Sequence, residues 1–280
     1  MNMSVAGPPQ DANCSPNGGS AAAQAASVGG PHPRTMTPRI FVGDDVRALA
    51  PGVDYRLPEP ATRHVAQALR MRIGEPLTLF TGTGGEYATA IVHIDRRDVV
   101  VRVERYDAIE RESPLAVTLV QSLIAADMME WVVRKAVELG VAAIVPVQSA
   151  RSQAISAERA ARRVAHWRQV AIAACEQCGR NRLPDIAPVV PFDEWVGSDV
   201  VSAETAILDA DASRSLAAQA AAVPPRSAAI GPEGGFTREE VERAQARGAV
   251  AVHLGRRILR AETAAIAALA TLGAIAGDAR

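Results

Sequence analysis

Short apolar runs alternate with helical patterns along the second half of the chain. Each apolar run is bounded by glycine, proline or charged residues, as expected for buried strands of a parallel sheet. The runs are Leu115–Leu123, Val141–Val147, Thr205–Leu208, Ala228–Ile230 and Ala249–Leu254. The helical patterns are Met128–Leu139, Ser156–Cys178, Arg238–Arg247 and Glu262–Gly273. Because strands that alternate with helices are typical of a parallel α/β sheet, we predict that fold class for this part of the chain.

Capping residues mark the starts of two of these helices. Thr237 and Glu240 have the spacing of a capping box, and Asp127 and Glu130 have the same spacing ahead of an earlier helix. Pro146 lies inside the second apolar run and has no N–H to donate to a neighbouring strand. We therefore expect this strand to lie near an edge of the sheet or to end at the proline.

The first part of the chain predicts a smaller all-β unit. Its short strands are Arg39–Val42, Leu77–Thr81, Glu86–Ile94 and Val99–Tyr106. Their close spacing predicts a small β-barrel, with a helix that Thr62 caps and that runs to Arg70. Residues 1–37 are rich in glycine, proline, alanine and serine, so we expect a disordered leader there. The charged stretch Asp107–Pro114 is the predicted boundary, which gives domains at 38–108 and 114–280.

Two glycine-punctuated loops each follow an apolar run near the C-terminus. The first is Ile230–Phe236, with the sequence IGPEGGF, and the second is Leu254–Thr263, with the sequence LGRRILRAET. In an open parallel sheet, ligands bind at loops that leave the carboxyl ends of the strands. We expect the two loops to lie side by side and to form an apolar slot with backbone donors and acceptors. Such a slot suits an adenosine-bearing ligand.

Charge and cysteine content narrow the function classes. The net charge of the 280 residues is −1, so the protein as a whole does not attract nucleic acid strongly. Residues 151–182 nevertheless carry seven arginines against two glutamates, which indicates either phosphate binding or a solvated helix face. Three cysteines give no disulfide framework and suit a reducing cytoplasm. The longest apolar run, Ala264–Ala276, is too short to span a bilayer.

Other site motifs are weak. The histidines have no metal-ligand spacing, so we expect no metal site. Gly82–Gly85 lies between two predicted strands and indicates a hairpin turn rather than a nucleotide loop. Cys175 and Cys178 lie one turn apart on a predicted helix without a partner pair, and helix-packing thiols are the favoured interpretation.

The two glycine loops resemble those of the 16S ribosomal RNA uridine N3-methyltransferase family, in the knotted SPOUT superfamily. Further segments resemble the family in the same order, namely Arg39–Phe41, Leu69–Gly74, Lys135–Val141 and Glu176–Pro184. The resemblance covers roughly Pro38 to Ala276. It implies a PUA-like β-barrel followed by a SPOUT α/β domain with a deep trefoil knot. It also implies a cytoplasmic homodimer that binds S-adenosylmethionine. The RNA partner would be 16S ribosomal RNA within the small subunit. Neither membrane binding nor a metal ion is expected.

The resemblance also implies roles for individual residues. Cofactor-binding residues would be Leu208, Gly231, Glu233, Gly234, Gly235, Leu254, Gly255, Ile258 and Leu259. RNA-binding residues would be Arg39, Arg70, Arg151, Gln177, Arg180 and Arg182. Arg260 and Glu262 are the catalytic candidates: Arg260 could neutralise charge on the uridine or a phosphate, and Glu262 could accept a proton or orient Arg260. A carboxylate in the first turn of a helix also stabilises that helix, so both interpretations of Glu262 stay open.

This chain departs from the family pattern at two places. Ala125 and Ala126 stand where many members have a basic residue, which puts one RNA contact in doubt. Ala261 stands where a threonine is common, which removes a hydroxyl near the site. Two other functions remain open: a SPOUT methyltransferase that acts on transfer RNA or 23S ribosomal RNA, and a non-catalytic RNA-binding assembly factor.

Overall fold

The computed structural model describes residues 37–43 and 49–278 and contains two β-sheets. Except for Thr37, the predicted leader lies outside the described residues. The rest of the chain, from Thr37 onward, clusters as one compact unit that includes both sheets. Among the described residues, no helix is both long and apolar enough to cross a membrane.

The first sheet has five strands in the order β1-β3-β4-β5-β2. These strands are β1 (Arg39–Phe41), β2 (Asp54–Arg56), β3 (Pro76–Phe80), β4 (Glu86–Ile94) and β5 (Val99–Asp107). Side chains along β4 alternate between buried and more exposed positions, because successive residues of a strand face opposite sides. In the described residues the two edge strands, β1 and β2, do not pair with each other, so the predicted closure into a barrel is not seen there.

The helix beside this sheet starts earlier than predicted. Helix α1 (Glu59–Arg63) begins after Pro58 and continues into a π-helical turn at His64–Ala68. Thr62 is therefore not a cap: it is buried within α1, and its hydroxyl donates to the carbonyl of Leu57 at 3.1 Å. Proline is well tolerated in the first turn of a helix, because the N–H groups of that turn have no carbonyl partner within the helix. Pro58 and Pro60 therefore indicate this helix start better than Thr62 does.

The second sheet is entirely parallel, as the alternating pattern predicted, and has the strand order β12-β10-β11-β6-β7-β8, with β9 also paired to β7. Its strands are β6 (Thr118–Ser122), β7 (Ala143–Gln148), β8 (Asp185–Ile186), β9 (Val190–Pro191), β10 (Thr205–Leu208), β11 (Ser227–Ile230) and β12 (Val250–Val252). Pro146 lies in β7 between the residues that pair with β8 and those that pair with β9, where no ladder bond from its nitrogen is needed.

Helices cover both faces of this sheet. They are α2 (Ala126–Glu138), α3 (Ala157–Cys178), α4 (Phe192–Gly197), α5 (Leu216–Ala222), α6 (Arg238–Ala246) and α7 (Ala261–Ala276). The core on one face joins α2, α3, α5 and α7 to strand residues such as Leu119 and Ile144. The core on the other face joins α4 and α6 to residues such as Val120 and Ile207. The longer strands of the sheet, such as β6 and β10, are thus buried on both sides, which explains their continuous apolar runs.

The predicted helix starts are partly right. The capping box of Thr237 and Glu240 is present at α6, and Ser156 caps α3. Asp127 is not a cap, because α2 begins after Ala125 without a side-chain cap. The short helices α4 and α5 and strand β2 were not predicted, since few residues carry their periodicity.

A network of charged side chains, some buried and some exposed, joins the first sheet to the segment after α3. Arg39 donates to Glu86 at 2.6 Å and also hydrogen-bonds Asn181. Arg111 donates to Glu86 at 2.7 Å and to the carbonyl of Gly179 at 3.2 Å. Burial of Glu86 alone would raise its pKa, but the hydrogen bonds from Arg111 and Arg39 outweigh it and lower the pKa to about 2.

We expect the free energy of unfolding to fall as the pH drops from about 5 to about 2, because Glu86 binds its proton more readily in the unfolded chain. The stabilisation that the ionised Glu86 gives is complete at a pH above the ordinary carboxyl pKa. It is lost as the pH falls through the lowered pKa of Glu86 in the folded protein. Urea midpoints measured across this range should fall less steeply in Glu86→Gln than in the wild-type protein. The exposed Glu59→Gln is the control. An equal slope for Glu86→Gln and wild type would contradict the prediction.

Candidate functional site

Three loops meet at the carboxyl edge of the second sheet and enclose a cavity of about 350 Å³. They follow β10, β11 and β12. The prediction that the two glycine loops are immediate neighbours is wrong, because β10 lies between β11 and β12 and adds its own loop. All three strands are parallel and end at the same edge, so their loops still converge on one space.

All nine predicted cofactor residues line this cavity. The lining also includes residues that sequence reasoning did not select, namely Asp209, Ala210, Pro232, His253, Arg256, Arg257, Ala261 and Ala264. A carboxylate directly after a strand was a usable signal for Asp209. His253 could not be found from spacing, because its ring acts locally: Nδ1 accepts a hydrogen bond from the backbone N–H of Gly255 at 2.9 Å. That contact fixes the turn after β12.

The first glycine loop folds tightly on itself. Gly235 donates to the carbonyl of Pro232 at 2.8 Å. A Cβ on Gly231 would meet backbone atoms of Phe236 and Gly235 at 2.7–3.0 Å, so Gly231 lets the two ends of the loop approach. Gly235 has φ +69, and a Cβ there would meet no protein atom within 4 Å. The loop therefore needs one glycine for its own packing and another for its backbone conformation.

Neighbouring loops hold the first glycine loop from outside. The carboxylate of Glu233 accepts a hydrogen bond from Ala125 N at 3.0 Å, just before α2. The guanidinium of Arg151 donates to the carbonyl of Gly234 at 2.6 Å. A Cβ added at Gly234 would meet the Arg151 side chain at 3.2 Å. The cavity rim is thus tied to the loops that follow β6 and β7.

We expect Gly231→Ala to weaken cofactor binding by about tenfold or more, because its methyl group would collide with backbone and open the loop. Isothermal titration with S-adenosylmethionine measures this directly. Gly197→Ala is a matched control, since a Cβ there meets nothing within 4 Å. Wild-type affinity in Gly231→Ala would show that the loop tolerates opening.

The second loop carries exposed apolar and basic side chains. Ile258 is 89% exposed, and Arg256 and Arg257 beside it are also exposed. Arg260 is the N-cap residue of α7, with an exposed side chain, and the half-buried Glu262 lies in the first turn. Neither Arg260 nor Glu262 lines the cavity. Their catalytic roles remain predictions, and the helix-stabilising interpretation of Glu262 fits its position equally well.

The predicted RNA-binding residues separate into two groups. Exposed side chains belong to Arg70, Arg151, Gln177 and Arg182, and their contact with RNA remains a prediction. The prediction that Arg39 and Arg180 bind RNA is wrong. Both side chains are buried in ion pairs and cannot reach a phosphate. A charged residue in a motif does not by itself reveal whether its partner is internal or external.

The described residues also bear on the weaker motifs. They contain no group of three or more histidine, cysteine, aspartate or glutamate side chains that could hold a metal ion. Cys175 is buried on α3, and burial raises the pKa of its thiol to about 12. A thiol with so high a pKa is a packing group rather than a nucleophile, as predicted.

Known proteins resemble this chain over both sheets. A family model described as an RNA methyltransferase domain matches residues 111–273, and one described as an RNA methyltransferase PUA domain matches residues 57–104. The ribosomal RNA small subunit methyltransferase E of Bacillus subtilis is 30% identical over 84% of this chain and 95% of its own length.

Two solved structures are also similar. A protein from Legionella pneumophila in complex with the cofactor SAM has 37% identity and a TM-score of 0.78, and the match covers 85% of this chain and 98% of that chain. A ribosomal RNA small subunit methyltransferase E from Neisseria gonorrhoeae bound to S-adenosyl methionine has 35% identity and a TM-score of 0.76, over 84% and 96% of the two chains.

Proposed function

We propose, from the premise that this chain belongs to the ribosomal RNA small subunit methyltransferase E family, that it methylates N3 of a uridine in 16S ribosomal RNA with S-adenosylmethionine as donor. The observation that carries the proposal is the cavity at the carboxyl edge of the second sheet, which brings together all nine residues that the family resemblance implied. The α/β fold, with a PUA domain ahead of a methyltransferase domain, is the family's arrangement.

The cavity fits S-adenosylmethionine by size and by chemistry. A volume of about 350 Å³ lies in the range of small-molecule sites. Leu208, Ile230 and Leu254 supply apolar wall for an adenine ring, while Asp209 and Glu233 supply acceptors for hydroxyl or amino groups. A Cβ at Gly255 would meet no protein atom within 4 Å, so this backbone leaves room for a ligand.

The residues of the chain then have to position the base and accept the proton that uridine N3 loses. When bound, the cofactor supplies a methyl group already activated on a sulfonium, so no protein nucleophile is required. Holding uridine N3 in line with that group is the larger contribution open to the protein. We assign Arg260 to stabilise the charge that develops on the uridine as N3 loses its proton. To Glu262, two residues further on, we assign the acceptance of that proton or the orientation of Arg260.

Backbone hydrogen bonds around β12 support a trefoil knot in the second domain. Asp209 N donates to Val252 O at 3.0 Å, on the β10 side of this strand. The next residue, His253, donates to Arg214 O and accepts from Leu216 N on the opposite side, both at 2.9 Å. The chain therefore crosses over the end of β12 between residues 209 and 214. Helix α7 follows β12 and packs against both α2 and α5, as a helix threaded through that loop would.

Two further features belong to the same proposal. Domains at 38–108 and 114–280 are supported by the separate sheets, and the first sheet belongs to the PUA domain, which we propose helps to hold RNA. A cytoplasmic homodimer that binds small-subunit RNA also belongs to this proposal, as the family resemblance implies.

The test is methyl transfer by the full-length protein to small ribosomal subunits from a strain that lacks it. Mass mapping of the ribosomal RNA should find new 3-methyluridine at one position of 16S RNA. Methylation of transfer RNA or 23S RNA instead would favour another methyltransferase of the superfamily. Absence of saturable S-adenosylmethionine binding in calorimetry would favour the assembly factor.

A further inference from the structure

A second cavity, of about 400 Å³, lies between the first sheet and helix α3. On one side it is walled by the β1 strand and by α1 with the residue that follows it, His64. On the other side it is walled by Gln169, Ile172, Ala173 and Glu176. Those four residues have the spacing i, i+3, i+4 and i+7, so they form one stripe along α3. The cavity shares no lining residue with the cofactor cavity.

The polar groups in this second cavity are acceptors and neutral side chains. One carboxylate oxygen of Glu176 accepts a hydrogen bond from Phe41 N at 3.0 Å, and the other oxygen has no partner among the described residues. Burial raises the pKa of Glu176. The amide of Gln169 and the imidazole of His64 complete the polar lining. Among the described residues, the lining of this cavity contains no arginine or lysine.

The backbone at the mouth of the cavity is irregular. His64 begins the π-helical turn, and its carbonyl accepts a hydrogen bond from Leu69 N at 2.9 Å, the i to i+5 pattern of such a turn. Single π-helical turns within α-helices are frequent at functional sites. Here the turn coincides with the one imidazole of the lining.

We propose that this second cavity binds an unstacked base of the substrate RNA, one that presents N–H groups to the carboxylate of Glu176. The inference rests on the proposed function, which supplies RNA as the substrate. Sequence-specific recognition of RNA uses splayed bases that are stacked on rings such as imidazole and hydrogen-bonded along their edges. A carboxylate, an amide and an imidazole around an apolar floor provide those contacts. The base bound here is separate from the uridine that is methylated.

The sharpest test fills the cavity without removing a polar group. Ala173 lies exposed on the cavity stripe of α3, and Ala165 lies exposed on the same helix outside the cavity. Full-length Ala173→Trp should bind small ribosomal subunits about tenfold more weakly or worse, as expected for the loss of one bound base. The control Ala165→Trp should bind them like wild type, and S-adenosylmethionine affinity should be unchanged in both. Unchanged cofactor affinity also shows that the variants are folded.

Glu176→Gln is the second variant, because glutamine keeps an oxygen for Phe41 N and loses the carboxylate. Like Ala173→Trp, it should weaken the binding of small ribosomal subunits. Subunit affinity equal to wild type in both variants would overturn the inference. A wild-type protein that binds subunits but transfers no methyl group would contradict the proposed function alone, since the binding measurements do not depend on turnover.

Discussion

Arg180→Ala should lower the free energy of unfolding by about 3–5 kcal/mol, because it leaves the Glu112 carboxylate and the Val141 carbonyl without their buried donor. Arg180 is 4% exposed and forms an ion pair with Glu112. Its Nη1 donates to Val137 O at 3.1 Å and to Val141 O at 2.9 Å. Val137 lies in the last turn of α2, and its carbonyl also accepts a hydrogen bond from Gly140 N at 3.0 Å. One side chain thus joins the end of α2, the approach to β7 and the segment before β6.

Urea denaturation of the full-length protein measures this effect, and Arg182→Ala is the matched control. Arg182 also pairs with a glutamate, Glu110, but both side chains are about half exposed. Its loss should change the free energy of unfolding by no more than about 1 kcal/mol. If Arg180→Ala had nearly wild-type stability and its RNA binding depended less steeply on salt, Arg180 would be an RNA-binding residue after all.

Arg260→Ala should lower kcat about 10²- to 10³-fold with little change in S-adenosylmethionine affinity. A guanidinium that stabilises charge in the transition state contributes on that scale, whereas Arg260 does not line the cofactor cavity. The exposed Arg260 side chain precedes α7 directly and has no carboxylate ion pair among the described residues. Arg260→Lys should recover part of the rate, because the charge is retained without the planar fork of donors.

Single-turnover assays with small ribosomal subunits separate binding from chemistry for these variants. Arg226→Ala is the control: it also removes an exposed arginine, but one that directly precedes β11, at the amino edge of the same sheet. Its rate should equal the wild-type rate. If Arg260→Ala raised KM for the subunit and left kcat unchanged, Arg260 would be a phosphate contact instead of a catalytic group.

Local patterns predicted the second sheet well because its strands are buried on both faces. A short apolar run such as Thr205–Leu208, bounded by charged residues, is typical of a buried strand, and the structure has that strand with the same ends. The capping box at α6 was equally local, since both of its hydrogen bonds join residues three apart. Helix α5 was missed because seven residues rich in alanine carry no clear period.

The cofactor cavity was predicted only in part from local sequence patterns. Loops at the carboxyl ends of parallel strands must meet on one edge, so the sequence was sufficient to predict that both glycine loops would share a cavity. It did not predict that β10 lies between their strands, because strand order depends on how helices cross the sheet. Asp209 lines the cavity because β10 ends between the two glycine loops.

By itself, the sequence determined most of the longer strands and helices, where two loops need glycine, and which residue types surround a ligand, because backbone sterics and hydrophobic period act over a few neighbours. The tertiary structure alone decided the fate of the arginines. Arg39 and Arg180 meet carboxylates 47 and 68 residues away in the chain, whereas Arg70 and Arg151 stay exposed. A charge is available to RNA only when folding has not already paired it, and that pairing depends on contacts between distant segments.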